Sequence, residues 1–113
     1  MLILKTPILL EELKKIAQET FGDMVKAVVD VNENLIAIDA ELHSDLEALF
    51  IENGSKQNDL WGINLYPEIE DDDFIEFDSM INLRPSQGNM SRSVDSKEIQ
   101  NSIFKIVKIW VKR

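Results

Sequence analysis

The feature that most constrains the fold is a pair of apolar runs separated by three residues. Residues 24–31 (MVKAVVDV) and 35–41 (LIAIDAE) are rich in β-branched side chains, which is typical of strands. Asn32 and Asn34 lie between them, and asparagine tolerates the left-handed backbone that a tight turn requires. The pattern therefore predicts a β-hairpin, and with it an antiparallel sheet.

Helical and strand patterns surround this hairpin. Apolar side chains recur every three or four residues in segments that begin near Pro7, Ser44 and Asp95, and they predict three helices. Further strands are predicted at 60–66, at 74–83 and, as a short edge strand, at 2–5. The order (β)αββαββα predicts an α+β two-layer sandwich in which three helices cover one face of an antiparallel sheet of four or five strands. A length of 113 residues predicts a single domain, 1–113.

Composition excludes several classes of chemistry. The chain contains no cysteine, which excludes disulfides, cysteine-ligated zinc and thiol nucleophiles. No apolar run approaches the roughly 20 residues of a membrane span, and the N-terminal run lacks the pattern of a signal peptide. The formal net charge of −9 makes nucleic acid an unfavourable partner. We expect a cytoplasmic protein without a cofactor and without membrane contact.

The arginines concentrate in one polar loop. Two of the three in the chain, Arg84 and Arg92, flank the sequence PSQGNMS. The planar guanidinium group binds a carboxylate or phosphate through two parallel N–H···O hydrogen bonds. The loop therefore predicts a site for a small anionic ligand, or for an acidic group of a partner. The residues of this predicted site in and beside the loop are Arg84, Arg92, Asn82, Gln87 and Asn89.

An internal role for the two arginines is the alternative. Residues 1–83 carry 5 basic and 19 acidic side chains, whereas residues 84–113 carry 7 basic and 2 acidic side chains. A basic C-terminal part that folds back onto an acidic body would balance charge within the molecule. In that interpretation Arg84 and Arg92 hold the acidic turn at 68–73.

Strand alternation predicts a polar sheet face. Successive side chains of a strand point to opposite faces, so the polar members of the predicted strands should share the face that the helices leave open. These residues are Lys26, Asp30, Asp39, Glu41, Asn64, Tyr66, Glu76, Asp78, Asn82 and Arg84. We expect Asn64 and Asp78 to contact the ligand there. The alternative is a solvated sheet surface with cross-strand ion pairs.

Two other functions fit the same residues. Glu76 and Asp78 lie two residues apart on one predicted strand, a spacing that suits the carboxylate pair of a hydrolase or lyase, with or without a divalent cation. An open sheet face would also suit a homodimer or a larger homo-oligomer. We assign no catalytic residue from the sequence.

One string contains metal-binding residue types, namely Asp39, Glu41, His43 and Asp45. It lacks the glycine turn of a calcium loop, and it straddles the end of a strand and the start of a helix. We therefore predict no metal site and interpret His43, the only histidine, as a boundary residue.

Three strings carry a family resemblance: FGDMVKAVVD, GSKQNDLWGINLYPE and IEFDSMINLRPSQGN. They resemble a family of small uncharacterised prokaryotic proteins that is catalogued as a domain of unknown function. The similarity covers essentially the whole chain. It implies a small cytoplasmic stand-alone domain, and it supplies no activity, substrate, cofactor or catalytic residue.

Overall fold

The fold is built on a five-stranded antiparallel sheet. The computed structural model describes residues 1–113. Its strands are β1 (Leu2–Ile3), β2 (Ile8–Leu9), β3 (Val25–Asp30), β4 (Leu35–Ile38), β5 (Leu60–Leu65), β6 (Ile75–Glu76) and β7 (Val111–Lys112). Five of these strands pair in the order β1-β4-β3-β5-β6, and β2 and β7 form a separate parallel pair. The predicted hairpin is β3–β4, with Asn34 in the left-handed region at φ 58°.

Three helices pack on this sheet, and the α+β class predicted from the sequence is confirmed. They are α1 (Leu10–Glu19), α2 (His43–Glu52) and α3 (Lys97–Trp110). None of them combines the length and the apolar composition that a membrane span requires. The two-residue strands β2 and β7 pair Ile8 with Val111 and Leu9 with Lys112. This pairing ties the start of α1 to the end of α3.

The main core lies between the sheet and the helices α1 and α3. Alternate residues of β3, such as Val25, Ala27 and Val29, point into this layer and are fully buried. Leu13 of α1 and Ile103 of α3 meet them from the helical side. Burying each such aliphatic side chain contributes on the order of 1.5–3 kcal/mol, so this layer supplies most of the apolar stabilisation.

The second helix lies on the opposite face, which corrects the predicted two-layer arrangement. Leu46 and Phe50 of α2 form a separate buried cluster with Val28, Ala37 and Leu60, which point away from the main core. The reason is visible in β3 and β4, whose neighbouring residues are apolar on both faces. A strand that is apolar on both faces requires cover on both. The sheet is therefore sandwiched between α1 and α3 on one side and α2 on the other.

The prediction of a strand at 74–83 is wrong beyond Glu76. Only Ile75 and Glu76 pair with β5, and the chain then leaves the sheet and forms a 3-10 turn at Met80–Asn82. The Asn82 side chain replaces a strand partner, because Gly62 N–H donates to its Oδ1 (2.8 Å) and its Nδ2 donates to Gly62 O (2.9 Å). A Cβ on Gly62 would lie 2.6 Å from the Cβ and Oγ of Ser79, so only glycine permits this approach.

Candidate functional site

Arg84, one of the two arginines predicted to bind an anion, is part of the protein interior. Its Nη2 donates to the carbonyl oxygen of Leu60 (2.6 Å) and to Oε2 of Glu47 (3.3 Å). The guanidinium also lies 4.9 Å from the centroid of the Trp61 ring. Burial lowers the pKa of Arg84, and the Glu47 carboxylate opposes that shift. With 9% of its surface exposed, Arg84 ties the loop to β5 and α2 and offers little to a ligand.

The side-chain amides of the loop also form hydrogen bonds within the protein. Asn89 is buried, donates from Nδ2 to the carbonyl oxygens of Asn82 and Ser93 (2.7 Å each), and accepts from Asp95 N–H at Oδ1 (2.8 Å). Gln87 donates to Asn58 O (3.1 Å) and accepts from Arg84. Together with the pairing of Asn82 to Gly62, these bonds make the 82–89 segment an internal brace.

The acidic turn at 68–73 is contacted by basic residues other than the two arginines that the internal interpretation assigned to it. Lys14 Nζ lies 3.8 Å from Glu68 Oε2, and Arg113 Nη2 donates to Ile69 O (3.3 Å). Arg84 and Arg92 instead pair with Glu47 and Asp78. The basic C-terminal part does fold back onto the acidic body, but the two loop arginines hold neither side of the turn at 68–73.

The remaining predicted residues do come together, on the α2 side of the sheet. Lys26 of β3, Asn64 of β5 and Glu76 of β6 are direct cross-strand neighbours. With the four neighbouring residues they form a group that we call the polar cluster. Its members are Lys26, His43, Asn64, Tyr66, Glu76, Asp78 and Arg92. It contains Asn64, Asp78 and Arg92 of the site predicted from the sequence.

Asn64 and Glu76 form the centre of the polar cluster. Asn64 Nδ2 donates to Glu76 Oε1 (2.9 Å) and to the carbonyl oxygen of Asp78 (3.1 Å), and Tyr66 Oη donates to the same Glu76 oxygen (3.1 Å). Burial and then Glu76 raise the pKa of Tyr66, so the phenol stays protonated. The Asn64 amide is buried and also lies within hydrogen-bond reach of the His43 ring. These contacts fix the Asn64 and Glu76 side chains at the centre of the polar cluster.

Arg92 forms the accessible edge of the polar cluster. Its Nε donates to Asp78 Oδ1 (2.8 Å), and the two side chains are 55% and 46% exposed. Its Nη groups donate no hydrogen bond to the protein. One bond at Nε orients the guanidinium and leaves the pair of Nη donors, which is the fork that recognises carboxylate or phosphate, open to solvent.

His43, interpreted from the sequence as a boundary residue, is buried beside this centre. Its Nε2 lies 2.8 Å from the carbonyl oxygen of Ile63. A carbonyl only accepts, so Nε2 carries the proton. Burial lowers the pKa of His43 below 6.5, and the bond to Ile63 opposes the shift. Burial therefore favours the neutral form of His43. The position of His43 at the start of α2, a helix that packs on the sheet, was the sequence feature that could have predicted its burial.

The other predicted polar-face residues lie elsewhere. Asp30 is fully buried at the far end of β3, where Oδ1 accepts from the N–H groups of Asn32 and Glu33 and so closes the hairpin turn. Asp39 lies 3.6 Å from the N-terminal amine. No three His, Asp or Glu side chains approach one another closely enough to hold a metal ion, and this includes the string from Asp39 to Asp45.

The comparison with protein families matches nearly the whole chain. The matching model, described as a protein of unknown function (DUF5674), covers residues 2–110. The chain belongs to the DUF5674 family. The resemblance noted in the sequence is thereby confirmed, and the description of this family names no activity. No curated protein and no solved structure matches the chain.

Proposed function

We propose that this DUF5674 protein is a non-enzymatic binding module for a small anionic ligand, which it contacts through Arg92 at the edge of the polar cluster. The observation that carries the proposal is the geometry of the Arg92–Asp78 pair. Asp78 accepts only from Nε, so the Nη fork is oriented by the pair and makes no hydrogen bond within the protein. Arg84, Asn82 and Asn89 are committed to the fold, which leaves Arg92 as the loop arginine available for binding.

Asn64 supports the same location indirectly. Its Nδ2 donates to the carbonyl oxygen of Asp78 (3.1 Å) and so fixes the backbone from which the Asp78–Arg92 pair projects. The ligand class follows from the Arg92 fork, which suits a carboxylate or a phosphate group.

The hydrolase or lyase that uses Glu76 and Asp78 is less well supported. Glu76 is exposed, so a substrate held there would remain in contact with water. Glu76 also receives two hydrogen bonds, and Asp78 is paired with Arg92, so both carboxylates are engaged within the protein.

Self-association is the second candidate, but through a different surface from the one predicted. The sheet face that was predicted to be open is covered by α2. Three apolar side chains of the loop region remain largely exposed, namely Met80 (62%), Leu83 (44%) and Met90 (67%). Light scattering tests this candidate, because a monomeric mass at high protein concentration would exclude a homodimer.

The cytoplasm is the compartment that we propose for this protein. The absence of cysteine supports it, since disulfides are typical of oxidising compartments.

The binding proposal is tested by titrating ¹⁵N-labelled protein with inorganic phosphate, acetate and glycolate. We expect saturable chemical-shift changes at the amides of Asn64, Asp78 and Arg92. Arg92→Ala should abolish them, and Arg92→Lys should weaken them because lysine lacks the planar fork. Lys15→Ala, which removes an exposed cation from α1, is the matched control. The proposal fails if none of the three anions produces saturable shifts, or if Lys15→Ala reduces them as much as Arg92→Ala.

A further inference from the structure

A concavity lies on the side of the sheet opposite to the polar cluster. A groove of about 590 Å³ runs between the acidic turn before β6 and the C-terminal half of α3. We call it the α3 groove. Its floor is apolar and consists of Phe74, Ile75, Phe104, Val107 and Val111. Ile75 and Glu76 are neighbours on β6 and point to opposite faces, so the α3 groove and the polar cluster are separate sites.

The two rims of the α3 groove carry opposite charges. One rim consists of Glu70, Asp71 and Asp72, and the other consists of Lys108, Lys112 and Arg113. No ion pair joins the rims: the only base of the second rim that makes a polar contact is Arg113, which donates to Ile69 O and lies 4.7 Å over the Phe74 ring. Arg113 therefore spans one end of the groove and reaches the backbone of the acidic turn. Lys108 and Lys112 make no ion pair with the acidic rim, so the apolar floor between these two lysines and the acidic rim is not bridged.

We propose that the α3 groove binds a small amphiphilic molecule with an apolar body, a cationic end and an anionic end. The apolar floor would cover the body, the acidic rim would receive an ammonium or similar cation, and the basic rim would receive a carboxylate or phosphate. The volume lies within the range of about 300–1,000 Å³ that is usual for small-molecule sites. Charges of both signs on opposing rims favour a zwitterion over a ligand of a single charge.

The test uses three probes that share one aromatic ring. 4-(Aminomethyl)benzoate carries both charges at opposite ends, benzoate carries only the anion, and benzylamine carries only the cation. Each is titrated into ¹⁵N-labelled protein while the amides of Ile75, Val107 and Lys112 are observed. We expect the zwitterion to bind most tightly, by roughly fivefold over either single-charge probe, which is the scale of one exposed ion pair.

Rim variants make the assignment specific. Lys108→Glu should weaken the zwitterion and benzoate and leave benzylamine unweakened. Glu70→Gln should weaken the zwitterion and benzylamine and leave benzoate unweakened. Lys105→Glu, on the same helix but outside the α3 groove, makes the same charge change as Lys108→Glu and is the matched control.

Three results would overturn this proposal. The first is the absence of saturable shifts at the groove amides with any probe. The second is equal weakening by Lys108→Glu and Lys105→Glu, which would mean that net charge and not the rim controls binding. The third is a change of the same amides on dilution without any probe, which would show that a second copy of the chain occupies the groove. Failure of phosphate binding at Arg92 would leave this proposal standing, because the two sites share no residue.

Discussion

At the scale of single residues, Arg84 and Arg92 differ in what surrounds them. Both are loop arginines paired with one carboxylate, yet Arg84 is buried against Trp61 and Leu60 O whereas Arg92 is half exposed. The energetic value of an ion pair depends on this difference, because a buried pair that loses one partner leaves a desolvated charge behind. The same residue type therefore serves the fold at one end of the loop and, in our proposal, binds a ligand at the other.

Arg84→Ala should be strongly destabilising. It leaves the buried carbonyl of Leu60 and the largely buried carboxylate of Glu47 without their donor, so we expect a loss of about 3 kcal/mol in the free energy of unfolding. Arg92→Ala removes a solvent-screened pair and should cost less than about 1 kcal/mol. Urea denaturation measures both. Equal effects of the two substitutions would contradict the assignment of Arg84 to the interior.

His43 gives the stability a defined pH dependence. Because burial holds the native pKa of His43 below 6.5, the unfolded chain takes up the proton first as pH falls. The free energy of unfolding should therefore be insensitive to His43 above pH 6.5, and should fall with pH between 6.5 and the native pKa. In His43→Gln this part of the pH dependence should be absent. If wild type and variant differ by a constant amount across the range, protonation of His43 is not the cause.

At the scale of secondary-structure elements, the crossing of the 79–82 segment over β5 depends on Gly62. The segment approaches so closely that its Ser79 atoms occupy the space of a Cβ at position 62. In return the Asn82 amide satisfies both polar groups of Gly62, which β6 is too short to reach. The crossing thus closes the edge of the sheet without a paired strand, and it positions Asp78 and Arg92 beside Asn64.

Gly62→Ala should cost about 2 kcal/mol or more, because overpacking in a buried contact forces backbone shifts. Ser79→Gly alone should cost about 1 kcal/mol, since Ser79 Oγ accepts from Ile81 N–H at the start of the turn. In the double variant the clash is relieved, so the loss should be smaller than the sum of the two single losses. Additive losses in urea denaturation would contradict the close approach.

The same elements show what the sequence could and could not predict. Alternation placed Lys26, Asn64 and Glu76 on one face correctly, because it depends only on local strand geometry. The burial of Asn82 and Arg84 depends on contacts with Gly62 and Leu60, more than twenty positions away in the case of Arg84, and no local pattern encodes such a pairing. A glycine inside a strand does signal a close backbone approach, so Gly62 was the available clue.

At the scale of the whole molecule, cover on both faces of the sheet makes its centre the most protected part. β3 pairs along its length with β5 and on its other side with β4, and helices lie above and below it. The prediction of helices on one face missed this because consecutive apolar residues such as Val28 and Val29 were interpreted by alternation alone. A strand apolar on both faces is the signature of a sheet with cover on both sides.

Amide hydrogen exchange tests this layering. The amides of β3 should exchange at the rate set by global unfolding, whereas those of β1 and β6, at the edges of the sheet, should exchange faster through local opening. An exchange experiment followed by NMR gives each rate separately. Fast exchange in Ala27–Val29, relative to the edge strands, would mean that α2 does not cover the second face in solution.

Anion binding at Arg92 is tested by a residue-resolved anion titration of the wild-type protein and of Arg92→Ala. If the 82–89 segment is a brace and the polar cluster is the site, phosphate or glycolate should shift the amides of Asn64, Asp78 and Arg92, and the effect should vanish in Arg92→Ala while its urea midpoint stays close to that of wild type. Saturable shifts that instead centre on Arg84, Gln87 and Asn89, and that survive Arg92→Ala, would place the anion site in the 82–89 segment and disprove binding at Arg92.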